Sequence, residues 1–304
     1  MSTTRNNLSE SRLPKHLFVV GLGQIGGSFI LASQKNKIFQ TYSGWDVDSR
    51  VNRHAQRRLG IRVVPFDERP PETDLIILAT PVHHMHHYIE QLRQSRSSPL
   101  VMDLGSTKVD ILSWIHRHHR RTRFIGGHPM AGTEHIGHHG WNAQLFSHRY
   151  FFLSLMNHTN RSKRDLELIK TIIKKINAIP IEVDPQEHDR TLAYTSHLPY
   201  LLATTLVSAC WKKVTKDHLP FIGTGFESGT RLAASSPEMM IGILQANKKN
   251  IQMAFERYEK ISRRIQKCLE NDDWEGLSGI LKSGQKAKRG YQRKNIDSDD
   301  SLFY

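Results

Sequence analysis

The sequence predicts an α/β fold: an N-terminal doubly wound parallel sheet followed by an all-helical region. Three observations predict it. Short apolar runs alternate with amphipathic stretches from His16 to Val183. Several of the runs, such as Leu75-Ile76-Ile77-Leu78, are apolar at every position, the pattern of a strand covered on both faces. After Asp184-Pro185 the strand-like runs stop and helical periodicity takes over.

The elements follow in order. Leu17 to Gly21 reads as the first strand and Ser28 to Ser33 as the first helix. Between them lies Gly21-Leu22-Gly23-Gln24-Ile25-Gly26. A strand, then Gly-x-Gly-x-x-Gly, then a helix is the Rossmann arrangement for a dinucleotide. Gly21 permits the tight turn, Gly23 admits a pyrophosphate, and Gly26 lets helix and strand pack closely; Gln24 and Ile25 sit at the helix N-terminus, where free N–H groups meet phosphate. A glycine turn without a ligand is the other reading of the pattern alone. A second strand, Thr41 to Asp46, ends on the acid that grips the adenine ribose hydroxyl and repels a 2′-phosphate, so NAD is favoured over NADP. Arg50 works against that preference. Arg50 to Leu59 is a helix, Arg62 to Val64 a short strand, and 74–79, 100–103 and 123–126 further strands. Their ends carry Thr80-Pro81, Gly105-Ser106 and Gly127-His128, on the sheet edge where ligands bind. Strands at 150–155 and 179–183 flank a helix at 162–177. Beyond, 186–211 reads as one long buried helix, 247–269 as an amphipathic helix and 274–281 as a last short one. The predicted division is a disordered leader over 1–15, a dinucleotide-binding domain over 16–183, a helical substrate and dimerisation domain over 184–285, and a disordered tail over 286–304.

With 304 residues there is room for two domains. No run approaches the about 18 apolar residues of a membrane span. Two cysteines, Cys210 and Cys268, exclude a disulfide scaffold and fit a reducing cytoplasm. The net charge of +14 is spread along the chain with few aromatics among the basic groups, so no nucleic-acid partner is expected and anionic small ligands are. His83, His84, His86 and His87 lack an acid or cysteine at ligand spacing, and no metal site is expected.

Four stretches carry residues suited to chemistry. His128 leaves a strand end into a glycine-rich loop and could take a proton from a hydroxyl, or merely cap backbone groups. Ser106 could hydrogen-bond a substrate hydroxyl or the nicotinamide amide, or serve as N-cap to the helix from Val109. His197 and Tyr200, three apart, share a face of a helix that Pro199 should kink; they suggest a polar pocket or a satisfied core. Arg231 follows Gly223-Thr224-Gly225 and could grip a carboxylate or form a surface ion pair.

Taken together, Gly126-Gly127-His128-Pro129-Met130-Ala131-Gly132-Thr133-Glu134 and Ser196-His197-Leu198-Pro199, in this order behind the glycine loop, resemble the prephenate and arogenate dehydrogenase family of tyrosine biosynthesis. The resemblance runs from about Leu17 to about Leu281. It implies a homodimer built by the helical domain, and oxidative decarboxylation of a cyclohexadienol with hydride transfer to NAD. It implies His128 as base for the 4-hydroxyl, Ser106 orienting that hydroxyl and the nicotinamide, His197 and Arg231 facing the substrate, and Glu134 and His188 shaping or gating the pocket. Two departures stand out. Tyr200 occupies a position where the family often has a second histidine, and Glu227 and Ser228 replace a basic residue and an acid before Arg231. Both leave the choice between prephenate and arogenate open. A catalytically silent NAD-sensing module is the competing reading outside enzymes.

Overall fold

The computed structural model describes residues 13–92, 98–133, 137–211 and 216–300. Most of the predicted leader lies outside them. Lys15 does not: its N–H donates to Asp74 Oδ2 (2.7 Å), and its carbonyl accepts from Gln40 and Thr41, so the ordered chain begins before His16.

Residues up to Asn250 form one compact unit and residues from Ile251 a second. The first holds an eight-stranded sheet. Its strands are β1 (His16–Val20), β2 (Thr41–Trp45), β3 (Arg62–Val63), β4 (Leu75–Leu78), β5 (Leu100–Asp103), β6 (Arg123–Pro129), β7 (Tyr150–Ser154) and β8 (Ile179–Glu182). They lie in the order β3-β2-β1-β4-β5-β6-β7-β8, parallel throughout except that β7 runs antiparallel to β6. The order reverses between β1 and β4, which is where such sheets bind ligands. Alternate residues serve opposite faces. Leu17, Val19, Leu75, Ile77 and Met102 join one core with α1 (Gln24–Lys35), α2 (Ser49–Leu59) and α5 (Asn160–Lys175). Phe18, Val20, Ile76, Leu78 and Val101 join another with α3 (Met85–Leu92) and α4 (Val109–His118).

The change of architecture after Val183 does not end the compact unit. The helices α6 (Pro185–Leu192), α7 (Leu198–Trp211), α8 (Thr224–Thr230) and α9 (Pro237–Ala246) belong with the sheet. Asp189 on α6 is one reason, since its carboxylate accepts the backbone N–H groups of Lys108 (2.8 Å) and Val109 (2.9 Å) at the start of α4. The single helix expected over 186–211 is broken by a π turn at Ala193–His197. Pro199 explains the break: its missing N–H frees a carbonyl, and a wider turn absorbs the mismatch.

The second unit contains α10 (Lys248–Glu270) from its residue Ile251 onward and α11 (Trp274–Asp300). The sequence reading ends the last helix at Leu281 and makes 286–304 a disordered tail. Helix in fact continues to Asp300, because 282–300 hold lysine, arginine, glutamine and alanine, good helix formers, and no proline.

Candidate active site

The glycine loop is built as its spacing requires. Gly21 has φ +86°, and a Cβ there would lie 2.6 Å from the Ala79 carbonyl oxygen. A Cβ on Gly26 would lie 1.9 Å from the Gly21 carbonyl oxygen. At Gly23 a Cβ meets nothing within 4 Å, so the close-packed glycines hold the turn while Gly23 faces open space. Trp141 braces the loop from below, its indole N–H shared between the carbonyls of Leu22 and Gly23, both at 3.0 Å. Asp46 sits beside the loop, accepting from Leu22 N–H (2.7 Å) and Asp48 N–H (2.9 Å). Arg50 turns to Asp48, which it meets through Nε and Nη2 (2.9 Å), so its charge is already paired. The Oγ1 of Thr80, at the end of β4 before Pro81, is buried without a partner. An open Gly23, an acid at the end of β2 and an orphaned hydroxyl at the end of β4 fit a dinucleotide laid across the switch point. Two members of the predicted set do other work. Gln24 is tied to Thr133, whose N–H it accepts at 3.0 Å, and Ile25 packs against the core.

Next to this loop lies a cavity of about 590 Å³. Ser106, His128, His197 and Tyr200 all line it, together with Thr133, Arg149, Ser196 and Met240. The sequence-predicted residues from three distant stretches are thus brought together. Glu134 lies outside the described residues. Arg231 is exposed and is not on the wall, whereas Leu232 and Ser235 are. It opens a 3-10 turn, Arg231–Ala234, and three residues per turn put 232 and 235 on one side and 231 on another. Its expected place against the substrate is not what this protomer shows. Ser106 is not the N-cap of α4 either; that backbone is served across the fold by Asp189.

Behind the cavity wall runs a hydrogen-bonded chain. His128 Nδ1 meets His188 Nε2 at 2.9 Å, and His188 Nδ1 meets Asp189 Oδ1 at 2.7 Å. A carboxylate only accepts, so His188 Nδ1 carries the proton. A His188 that carries only that proton accepts at Nε2, so His128 donates from Nδ1 and the lone pair of His128 Nε2 is left for the cavity. Burial holds the His128 pKa well below its ordinary value, and any charge on His188, Lys108 or His197 lowers it further. His197 has the opposite tautomer. Asn247 Nδ2 donates to its Nδ1 at 3.2 Å and to the Asp189 carbonyl at 2.7 Å, while Asn250 donates to Asn247 Oδ1 at 2.8 Å. Nε2–H of His197 therefore remains for the cavity. Its pKa is lowered to about 4 by burial, and Asp189 opposes the shift. The two histidines are neutral at pH 7, one an acceptor and one a donor.

Sequence reasoning missed the base of this wall. Lys108 and Asp103 form a fully buried ion pair, and Lys108 Nζ also donates to the Gly127 carbonyl at 2.7 Å. Asp103 accepts the N–H groups of Gly105 (2.8 Å) and Gly127 (3.2 Å). Burial disfavours charge on both partners, raising the carboxyl pKa and lowering the ammonium pKa; the contact and the backbone donors act against it. The pair pins Gly127 within β6, one residue before His128. A strand-ending acid five residues before a lysine was the available signal, and both residues lie in stretches where serine drew the attention. The histidines of 83–87 have separate partners: the rings of His83 and His84 lie 4.0 Å apart, His86 lies over Trp114 at 4.6 Å, and His87 Nε2 is 3.0 Å from Gln91. Among the described residues no group of three or more possible ligands is placed to hold a metal.

A switch-point glycine loop beside a cavity walled by fixed, neutral histidines defines a dinucleotide-dependent dehydrogenase. Family models narrow this: residues 29–182 match the nucleotide-binding domain of prephenate dehydrogenase, and residues 184–283 match its dimerisation domain. The chain belongs to the prephenate dehydrogenase family. Prephenate dehydrogenase of Bacillus subtilis is 32% identical over 282 residues, covering 90% of this chain and 75% of that one. Cyclohexadienyl dehydrogenase of Zymomonas mobilis is 26% identical, covering 90% and 95%. The crystal structure of Aquifex aeolicus prephenate dehydrogenase with hydroxyphenyl propionate and NAD+ superposes with a TM-score of 0.81 at 25% identity, covering 91% and 98%.

Proposed function

We propose that this chain is an NAD-dependent prephenate dehydrogenase of tyrosine biosynthesis, converting prephenate to 4-hydroxyphenylpyruvate and CO₂. The observation that carries the reading is the hydrogen-bonded series Asp189–His188–His128 behind the cavity wall beside the glycine loop, which supports His128 Nε2 as the acceptor toward the cavity.

In this reading Gly21, Gly23, Gly26, Asp46, Thr80 and Pro81 hold the cofactor, with Gln24 and Ile25 shaping the turn. NAD supplies the acceptor for the hydride leaving C4 of the ring. His128 Nε2 takes the proton of the 4-hydroxyl. A strong base is not needed, because the hydroxyl acquires the acidity of a protonated ketone as hydride departs, so a histidine of low pKa suffices. The Asp189 carboxylate, two hydrogen bonds away, offsets the positive charge arriving on His128. Ser106 and the Nε2–H of His197 orient the substrate. The bond to the ring carboxylate breaks, its electron pair completes the aromatic ring, and CO₂ departs.

A second reading, arogenate dehydrogenase, is favoured by Tyr200, which lies on the cavity wall where a second histidine would add positive character. The dimerisation-domain match and exposed apolar side chains such as Phe221 (84%), Trp274 (60%) and Leu281 (61%) support a homodimer made through the helical elements. No helix among the described residues is long and apolar enough to cross a membrane, and a cytoplasmic enzyme with no nucleic-acid partner is the setting we assign.

Initial rates with prephenate and with arogenate, each with NAD and with NADP, test this. Prephenate with NAD should give the highest kcat/KM. Faster turnover of arogenate selects the second reading. No turnover of either substrate overturns both and leaves an NAD-binding module.

A further inference from the structure

We infer that Gln24 is a positioning residue that carries cofactor binding over to the substrate cavity; the inference rests on the function proposed above and deepens it. Gln24 is the first residue of α1, and the N-cap before it is Gly23, which has no side chain to offer the helix end. A phosphate of the dinucleotide suits that place. The backbone of Gln24 thus belongs to the cofactor half of the site. Its side chain belongs to the other half. The carboxamide holds Thr133 at two points, Oε1 accepting the Thr133 N–H at 3.0 Å and Nε2 donating to Thr133 Oγ1 at 2.5 Å. Gly132 shares the contact, since a Cβ there would lie 3.7 Å from Gln24 Oε1. Gly132 and Thr133 line the cavity that also holds Ser106 and His128, and Gln24 stands behind them.

The strand register shows why a tie is needed there. β6 is paired with β7 as far as Pro129, opposite Phe151, and the Met130 N–H still donates to the Tyr150 carbonyl at 2.9 Å. Beyond Met130 the chain leaves the ladder and is neither strand nor helix over 131–133. Gln24, 109 residues earlier in the sequence, takes hold of it at Thr133. Water reaches both of these hydrogen bonds, so by themselves they fix the loop only in part. A dinucleotide on the glycine loop changes that. It immobilises the backbone from which the carboxamide projects, and a ligand that displaces water strengthens the hydrogen bonds beneath it. Order imposed on 131–133 by the cofactor need not be imposed again by the substrate, which is positive coupling without a new contact between the two ligands. Such coupling is reciprocal, so the substrate tightens NAD by the factor that NAD tightens the substrate.

The test uses the full chain and two measurements. Calorimetry with the product 4-hydroxyphenylpyruvate, without NAD and with NAD at saturation, gives the factor by which the cofactor tightens product binding. That factor should be about tenfold in the unaltered chain and below about twofold in Gln24→Ala, which keeps a good helix former at the start of α1. Thr133→Val keeps the N–H bond and loses the hydroxyl one, and should fall between; Thr133→Ser should match the unaltered chain. A ratio cancels any direct contact of residue 133 with the ligand, so a merely structural role would not move it. Hydrogen exchange reads the same tie with NAD alone. NAD should slow exchange over 131–133 about fivefold in the unaltered chain and leave it unchanged in Gln24→Ala. A coupling factor in Gln24→Ala equal to that of the unaltered chain overturns the inference, by assigning the coupling to direct contact between nicotinamide and ring. An equal exchange response to NAD in the two chains overturns it as well. If the unaltered chain neither oxidises prephenate or arogenate nor binds the product, the functional reading fails, and the exchange comparison still decides Gln24.

Discussion

The cofactor half and the substrate half of this site are made of different materials. The glycine loop is backbone: its shape follows from which residues lack a Cβ, and the residues are contiguous. The cavity is a network of side chains from β5, β6, α6 and α9 and their flanking residues, in which each proton position is set by a neighbour. A backbone site tolerates little change in shape and much change in surrounding charge. A side-chain network does the reverse, which is why substitutions that leave the fold intact should still silence it.

The largest effect expected is on the network. His128→Asn keeps a polar group of similar size and removes the base, and kcat should fall by about 10² to 10⁴; a rate within threefold of the unaltered enzyme would remove His128 from the chemistry. The second concerns stability. His197 has a folded pKa of about 4 against 6.5 when unfolded. Its neutral form is the one the fold accepts. The associated stability is therefore complete above pH 6.5 and lost as pH falls from there toward 4, up to about 3 kcal/mol. Denaturant melts of His197→Gln should show a flatter pH dependence over that window. Third, Asp189→Asn should lower kcat about a hundredfold. An amide has one acceptor oxygen where the carboxylate has two, so either His188 Nδ1 or a backbone N–H at the start of α4 loses its acceptor and the support of His128 is weakened. Urea midpoints within about 1 M of the parent protein, with kcat lost, separate this from unfolding.

The smallest effects test the backbone half. Gly26→Ala forces a Cβ against the Gly21 carbonyl and should destabilise by about 1–3 kcal/mol. Gly23→Ala places its methyl in open space. Thermal melts should not move, while KM for NAD rises about tenfold. Equal loss of stability in the two variants would show that the loop is close-packed at both positions and has no ligand face.

This contrast also explains what could be read from the sequence. The glycine turn and the shared cavity of His197 and Tyr200 follow local patterns, whereas the strand expected over 123–126 runs on to Pro129, so His128 lies within β6 rather than past its end. Asp189, Asn247 and Lys108 act on partners far along the chain, up to 81 residues away for Asp189 and Lys108, and no local period announces that. Arg231 shows the converse. It matches a motif, yet the geometry of one 3-10 turn decides which neighbours reach the wall.

The π turn at Ala193–His197 sets the rotational phase of the cavity. His188 and His197 are nine residues apart, about two and a half turns of a regular helix, so an unbroken helix would send them to opposite sides. One extra residue taken up by the wide turn brings the separation nearer to eight residues, and the two rings come round toward a common centre. Forcing a regular helix through the same number of residues would rotate everything downstream by about 100°. The chain would remain helical there, with its donor histidine facing the wrong way.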